Sequence, residues 1–168
     1  MLMALFDEMP GREFEEVCRR LLIRMGLAVE MTKASGDGGI DLVAVFDKPV
    51  VGGKFIVQCK RYAGSVGVSV VRDLYGVVMG ERANKGILIT TGRFTQSGSE
   101  FAKDKNIELI DGKQLLALLK EYGFEKGDFH SEMPTSFLDN PRFNKNKYRF
   151  YWGAARDGSM DVKMARDY

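Results

Sequence analysis

The order of helical and strand-like hydrophobic patterns is the feature that most constrains the fold of this chain. Residues 11–26 place apolar side chains at the i, i+3, i+4 spacing of an amphipathic helix, which Gly26 can end. Three segments rich in β-branched and aliphatic residues follow and predict strands. Later patterns predict a helix near 69–82, a strand at 85–91, a helix at 95–105, a strand at 107–110 and a helix at 111–123. The order αβββαβαβα predicts an α/β fold in which helices flank a mixed central β-sheet.

The three consecutive strands are predicted at residues 27–33, 39–46 and 54–61. The connection "DKPVVGG" between the second and the third favours a β-hairpin. Residues 42–46 and 55–57 are wholly apolar, which is typical of strands buried on both faces. An unpaired charge is costly to bury, so a polar residue within these strands requires a partner that compensates it.

Asp41, Gln58 and Lys60 are the polar residues of this hairpin that require such a partner. A hairpin centred near Val50 sets Asp41 across from Cys59 to within one residue. Gln58 and Lys60 share a face because side chains alternate along a strand, and pairing Asp41 with either of them brings the three together. Carboxylate and amide oxygens suit Mg²⁺, and Lys60 can orient a water or stabilise a phosphate under attack. A surface hairpin with one polar face is the alternative interpretation.

The first helix offers a further carboxylate for this site. At about 100° per residue, its apolar stripe is centred near Phe14 and Met25. Glu16 then points away from the stripe, whereas Glu15 and Glu13 lie at its two edges. This geometry excludes Glu16 and leaves the other two glutamates as candidates, with an ordinary surface position as the alternative for either.

Composition limits the remaining chemistry. The 168 residues carry a formal net charge of +2, so a nucleic-acid role requires a local basic patch. Two cysteines, Cys18 and Cys59, are too few for a disulfide framework, and the single histidine, His130, argues against Ser-His and zinc-histidine enzymes. No apolar run reaches membrane-spanning length and the start of the chain lacks a signal-peptide pattern, so we expect a cytoplasmic protein without membrane contact. Nothing indicates a nucleotide cofactor.

Several segments together resemble the Mrr-like restriction endonuclease domain of the PD-(D/E)xK nuclease superfamily. They are "EFEEVCRRLLIRMG", "SGDGGIDLVA", "VQCKR", "GILITTGRFTQSGSEFA" and "IELIDGKQLLALL", in the family's order and within residues 10–122. The resemblance implies a restriction-endonuclease-like sheet with an αβββαβ core. It also implies Mg²⁺-dependent hydrolysis of DNA phosphodiester bonds, with Mn²⁺ as the alternative ion and with foreign or modified DNA as the target of restriction.

The resemblance also assigns roles to individual residues. The family's catalytic pattern falls on Glu15, Asp41, Gln58 and Lys60, with the first three as metal ligands. It thereby favours Glu15 over Glu13 and implies the backbone carbonyl of Cys59 as a further ligand. Gln58 replaces the acidic residue of the wider superfamily, a substitution typical of this branch. The alternatives are a Holliday-junction-resolvase-like nuclease, a DNA-binding module without catalysis and a structural interaction domain.

Residues near this site are candidates for contact with double-stranded DNA. They are Lys33, Ser35, Gly38, Arg61, Thr91, Arg93 and Thr95. The glycine-rich turn allows close backbone approach to a phosphate, and the segment after the strand at 85–91 leads into a helix N-terminus that suits a phosphate. An exposed loop and an ordinary capped strand-to-helix connection are the respective alternatives.

The sequence changes character after residue 124, which predicts a nuclease domain at 1–124 and an extension at 125–168. Between residues 142 and 152 the extension interleaves basic and aromatic residues. These could stack on bases or form an added strand on the domain or a partner subunit, and their aromatic density favours the strand. Because one catalytic centre cuts one DNA strand, double-strand cleavage would need a homodimer or two binding events.

Overall fold

The computed structural model describes residues 6–32 and 39–129, together with two short backbone segments near the C-terminus. The chain divides into two compact units, Met1–Phe129 and His130–Tyr168. The predicted boundary after residue 124 stays a prediction. Among the described residues, no helix is long and apolar enough to cross a membrane.

The first unit alternates helices and strands in the predicted order. Helices α1–α4 span Gly11–Arg24, Val68–Gly80, Gln96–Ala102 and Gly112–Glu121. Strands β1–β7 span Ala28–Met31, Leu42–Phe46, Gly53–Lys60, Ser65–Val66, Lys85–Thr90, Arg93–Phe94 and Ile107–Ile110. A 3₁₀ helix at Lys126–Phe129 ends the unit. The strands β4 and β6, of two residues each, are too short to show a hydrophobic period and were not predicted.

The central sheet is mixed, as predicted. Its strand order is β1-β2-β3-β5-β7, in which β1–β2 and β2–β3 pair antiparallel and the two remaining pairs are parallel. The predicted hairpin is β2–β3, with Leu42 opposite Val57. Because β3, β5 and β7 run in the same direction, their carboxyl ends all lie at the same end of the sheet.

Helices cover both faces of the sheet and form two apolar layers. On one face α1 and α4 pack against β2, β3 and β5 through Phe14, Leu21 and Leu115, all buried. On the other face α2 packs over β3 and β5 through Val71, Leu74 and other buried aliphatic residues. The predicted helical stripe of residues 11–26 is therefore the buried face of α1.

Strand β2 corrects the expectation of a strand buried on both faces. Leu42 and Ala44 are fully buried, but Val43, Val45 and Phe46 are only half-buried. For Val43 and Val45 the reason is the placement of the helices: α2 and α3 pack over β3, β5 and β7, so this face of β2 is only partly covered. Phe46 is the last residue of the strand.

The second unit contains two described strands, β8 at Trp152–Ala154 and β9 at Met160–Val162, which pair antiparallel. Trp152 is thus in a strand whose described partner is β9 of the same unit, and the addition of a strand to the domain or to a partner subunit stays a prediction. The other basic and aromatic residues of that segment, between 142 and 151, lie outside the described residues.

Candidate active site

Asp41 lies where the β2–β3 ladder ends, next to the carboxyl end of β3. Its N–H donates to the carbonyl of Val57 at 3.1 Å, and its Oδ2 accepts the N–H of Cys59 at 2.7 Å. The Asp41 side chain thus accepts the N–H of Cys59, a β3 residue that lies beyond the last backbone pair of β2 and β3, Leu42 and Val57. The bond fixes the carboxylate beside the middle residue of the Gln58–Cys59–Lys60 segment. The hairpin prediction, which set Asp41 across from Cys59 to within one residue, is confirmed.

Gln58 and Lys60 extend from the same face of β3. The alternation is visible in the core, since Val57 and Cys59 belong to the layer under α1 whereas Ile56 belongs to the layer under α2. Gln58 is only 3% exposed, and Lys60 is half-buried at the end of the strand. Lys60 forms no ion pair with any carboxylate among the described residues.

Gly39 is placed against the amide of Gln58. Its φ is +81°, and a Cβ built on it would lie 3.1 Å from Nε2 of Gln58. Positive φ favours glycine, and the close approach leaves little room for a side chain. Gly39 therefore brings its backbone next to the Gln58 side chain.

Glu15 is the helix glutamate that lies near Asp41. Its side chain is 19% exposed, whereas that of Glu16 is 32% exposed and forms a two-bond ion pair with Arg19 at 2.7 and 2.9 Å. Glu13 is exposed. The position of Glu15 at the edge of the helix stripe matches the geometric expectation, and its role stays a prediction.

Arg12 and Thr32 complete this region and were not foreseen. The guanidinium of Arg12 donates to Oε2 of Glu15 at 2.9 Å and to the carbonyl of Thr32 at 3.2 Å. Thr32 in turn donates its hydroxyl to the carbonyl of Ile40 and its N–H to that of Asp41. These bonds tie α1 to both ends of the segment 33–38. The i, i+3 spacing of Arg12 and Glu15 was the available sequence signal.

The electrostatics of Asp41 reflect its position. Burial raises the pKa of this carboxyl above its usual value, and the nearby charge of Glu15 raises it further. The Cys59 N–H and the cations Lys60 and Arg12 act in the opposite direction without cancelling the effect of burial. Because the charge of Glu15 disfavours ionisation of Asp41, a cation bound near both carboxylates would stabilise the ionised form of Asp41.

The oxygen donors near Asp41 suit a hard divalent metal ion. Within residues 6–32 and 39–129, no cluster of three or more His, Cys, Asp and Glu side chains is arranged to hold a metal. Mg²⁺ usually takes only one or two protein carboxylates, and waters and substrate phosphate fill its remaining positions. An ionised carboxylate has about four acceptor positions, so the Cys59 bond leaves Asp41 able to ligate. Two carboxylates with an amide oxygen and a backbone carbonyl therefore fit Mg²⁺ and do not fit a closed zinc site.

The predicted DNA-contact residues have different surroundings. Lys33, Ser35 and Gly38 lie outside the described residues. Arg61 donates to the carbonyl of Asp7 at 2.7 Å, and Arg93 is exposed. The hydroxyl of Thr91 is buried and bonds both the N–H and the carbonyl of Tyr62. Thr95 caps α3 by accepting the N–H of Gly98 at 3.2 Å, which confirms the capped connection as a local structure.

Comparison with known proteins gives consistent similarities. Residues 6–119 match the restriction endonuclease family Mrr_cat. The type IV methyl-directed restriction enzyme EcoKMrr of Escherichia coli strain K12 is 35% identical over 118 residues, which are 67% of this chain and 38% of EcoKMrr.

Two solved structures share the fold. The DNA modification-dependent restriction endonuclease AspBHI superposes with a TM-score of 0.56 at 21% identity, over 66% of this chain and 31% of that one. The restriction endonuclease MspJI, in complex with a 27-mer oligonucleotide, gives 0.53 at 24% identity, over 71% and 29%. The chain thus spans less than half the length of these relatives. With the family match over residues 6–119, more than half of its 168 residues, this chain belongs to the Mrr_cat family of restriction endonucleases.

Proposed function

We propose that this protein is a Mg²⁺-dependent DNA endonuclease that hydrolyses phosphodiester bonds with water. The observation that supports it best is the arrangement at the end of β3. The Asp41 carboxylate accepts a hydrogen bond from the N–H of Cys59, which lies between Gln58 and Lys60. The charge of Glu15 raises the pKa of Asp41 and that of Lys60 lowers it. A carboxylate and an ammonium group held at one end of the sheet suit a reaction in which a cation and a phosphate must meet.

In this proposal the metal is held by Asp41, Glu15, the amide oxygen of Gln58 and the backbone carbonyl of Cys59. When bound, a divalent cation supplies charge stabilisation for the phosphate and lowers the pKa of water. The Cys59 N–H keeps the Asp41 carboxylate in place, and Arg12 neutralises part of the charge of Glu15. The protein thereby holds its ligands in position before the substrate arrives.

Lys60 has a different task. It is at the carboxyl end of β3, half-buried and without a carboxylate partner among the described residues. Its ammonium can orient the attacking water or stabilise the negative charge that develops on the phosphate. A positioned cation of this kind typically contributes a factor of about a hundred or more to the rate.

We further propose that the enzyme acts in restriction of foreign or modified DNA. EcoKMrr is methyl-directed and AspBHI is modification-dependent, according to their names. Because the match covers 38% of EcoKMrr, selection of modified DNA is a separate question from cleavage. A homodimer would place two centres on the two strands of a duplex.

Cleavage of supercoiled plasmid tests the proposal. We expect nicked or linear product with Mg²⁺ or Mn²⁺ and none with EDTA, and a loss of at least about a hundredfold in rate for Asp41→Asn and for Lys60→Ala. Plain and methylated plasmid are compared, and a junction substrate is included. Mn²⁺ binding, measured by titration calorimetry, should weaken in Asp41→Asn and persist in Lys60→Ala, which separates metal holding from chemistry.

Asp104→Asn and Lys48→Ala serve as matched controls, because both positions are exposed and lie outside the site. They should cleave at the rate of the parent protein. Cleavage that survives both site substitutions would contradict the proposal. So would Mn²⁺ affinity that does not depend on Asp41.

A further inference from the structure

A basic groove begins near the candidate active site and runs beside the outer strand β7. It has a volume of about 1170 Å³ and extends from the segments that follow β3, β5 and β7 to Lys103 and Lys105, which precede β7 in the chain. Four cationic side chains line it, those of Arg93, Lys103, Lys105 and Lys113, against the single carboxylate of Asp111. The net charge of +2 for the whole chain gives no hint of this local excess.

The charges of the groove are not neutralised within the described part of the molecule. None of its four cations forms an ion pair there; the ammonium of Lys105 lies 4.3 Å from the ring centroid of Phe101, and Arg93, Lys103 and Lys113 are exposed. Asp111 uses its carboxylate to cap α4, by accepting the N–H of Gln114 at 2.8 Å. The groove therefore presents uncompensated positive charge to solvent.

Two lysines of the central sheet outside the groove differ from the groove cations. Lys54 of β3 pairs with Glu81 at 2.9 Å, and Lys85 of β5 pairs with Glu108 at 3.0 Å. These lysines thus have carboxylate partners, whereas the four groove cations have none among the described residues. The contrast favours an anionic ligand in the groove.

The groove is built onto the active-site strand. The N–H of Thr91 donates to the carbonyl of Lys60 at 3.3 Å, and β4 pairs with β6 through Ser65 and Arg93. A Cβ on Gly92 would lie 2.1 Å from the carbonyl oxygen of Gly64, so the loops after β3 and β5 are in direct contact. Arg93 is therefore held at a fixed place relative to Lys60.

We propose that this groove binds the phosphodiester backbone of duplex DNA beside the scissile phosphate. The proposal rests on the nuclease function proposed above. Neighbouring strands are about 4.8 Å apart, so β7 is about 10 Å from β3. At about 3.4 Å of helix rise per phosphate on one strand, that distance corresponds to about three nucleotides. Lys113, which follows β7, then contacts backbone close to the bond that is cut, and Lys103, which precedes β7, contacts backbone farther along the groove.

The salt dependence of DNA binding tests this inference. A fluorescent 30-base-pair duplex is titrated with the full chain in EDTA, so that no cleavage occurs, between about 0.05 and 0.2 M salt. Removing two phosphate contacts in Lys103→Gln/Lys113→Gln should reduce the slope of log K against log[salt] by about 1.8. At 0.1 M salt we expect affinity to fall about ten- to a hundredfold.

Lys48→Gln/Lys120→Gln is the matched control, because it removes the same charge from exposed positions. Lys48 lies before β3 in the chain. Lys120 is in the last turn of α4, a helix that starts next to the carboxyl end of β7 and runs away from it. The control should keep the slope of the parent protein. Equal effects of both pairs, or no change of slope in the groove pair, would overturn the inference.

Plasmid cleavage with Mg²⁺ on the same proteins separates this inference from the proposed function. A parent that cleaves, with a groove variant that keeps its salt slope, refutes the groove and leaves the nuclease standing. A parent that binds DNA through the groove without cleaving any substrate supports the groove and counts against the nuclease. A parent that neither binds nor cleaves DNA overturns both.

Discussion

Asp41 carries a cost that its hydrogen bond only partly offsets. Burial and the charge of Glu15 raise its pKa, so the ionised form that a metal requires is disfavoured in the protein alone. One N–H, that of Cys59, is the described hydrogen-bond donor to this carboxylate. Residues that work against stability in this way are typical of functional sites. This is a physical reason to assign Asp41 a role beyond the fold.

Asp128 shows the opposite behaviour and gives a pH-dependent prediction. The Glu125 N–H, at 2.8 Å, and the guanidinium of Arg24, at 2.9 Å, hold the pKa of this carboxyl below its usual value. A depressed pKa adds stability above the unfolded value of about 3.9, and that stability is lost as the pH falls through the folded pKa. Asp128→Asn should therefore lower the free energy of unfolding by about 1 kcal/mol at pH 7.

Urea unfolding at pH 7 and at pH 3 measures this effect. The difference between Asp128→Asn and the parent protein should shrink at the lower pH, because pH 3 lies below the unfolded pKa of about 3.9 and the unfolded chain there binds a proton at residue 128 that the folded chain binds more weakly. Asp104→Asn, which removes an exposed carboxylate without an ion pair among the described residues, should change stability by less than about 0.5 kcal/mol. A constant deficit of Asp128→Asn at both pH values would show that its bonds do not depend on the charge.

At the level of single residues, the sequence predicted the hairpin group better than its surroundings. Asp41, Gln58 and Lys60 could be placed together because strand alternation and hairpin pairing are strict rules. Arg12 could not, since its contact with the carbonyl of Thr32 joins residues 20 positions apart through a side chain. The same holds for Thr91, whose bonds to Tyr62 depend on how two loops meet.

Among the elements, β5 and α2 are packed tightly against each other at Gly86. A Cβ there would lie 2.7 Å from side-chain carbons of Ile107 and Val78 and 3.1 Å from one of Leu74. Two of these distances are below 3 Å and involve two different buried side chains, so moving one side chain cannot relieve both contacts. The absence of a side chain at Gly86 thus sets the distance between the helix and the sheet.

Gly86→Ala should lower the free energy of unfolding by about 1–3 kcal/mol, because it overpacks this layer. Gly76→Ala in α2, the helix that packs over Gly86, is the control, since Gly76 is exposed and a Cβ there meets nothing within 4 Å. Replacing a glycine inside a helix should instead stabilise the protein by about 0.5–1 kcal/mol. Thermal unfolding of both variants decides; a Gly86→Ala protein as stable as the parent would mean that α2 shifts outward freely.

Element types were predictable from hydrophobic period, and element boundaries less so. Helix α4 starts where Asp111 and Gln114 form a capping box, a signal that is local in sequence. The strand predicted at 39–46 begins only at Leu42, because Asp41 is engaged through its side chain. That shortening depends on the partner strand and leaves no trace in the local pattern.

In the first unit as a whole, the core is closed by residues that follow the last helix. Phe129 is 5% exposed and packs edge-on against Phe6 at 5.7 Å between ring centroids, and Phe124 lies 6.1 Å away. Arg20 and Arg24 of α1 bind Asp128 in the same 3₁₀ helix. Composition alone suggested an end at residue 124, because this short turn has no hydrophobic period of its own.

Two truncations of the chain follow from this closure. Residues 1–129 retain every aromatic contact of Phe129 and should unfold cooperatively, with a Tm close to that of the whole chain. Residues 1–124 lose Phe129 and Asp128, and removal of a buried Phe side chain costs about 3–5 kcal/mol. For a unit of this size the Tm should fall by about 10 °C or more. Scanning calorimetry of the two fragments compares them directly, and equal melting temperatures would place the end of the folded nuclease unit at residue 124 and make the 3₁₀ helix dispensable.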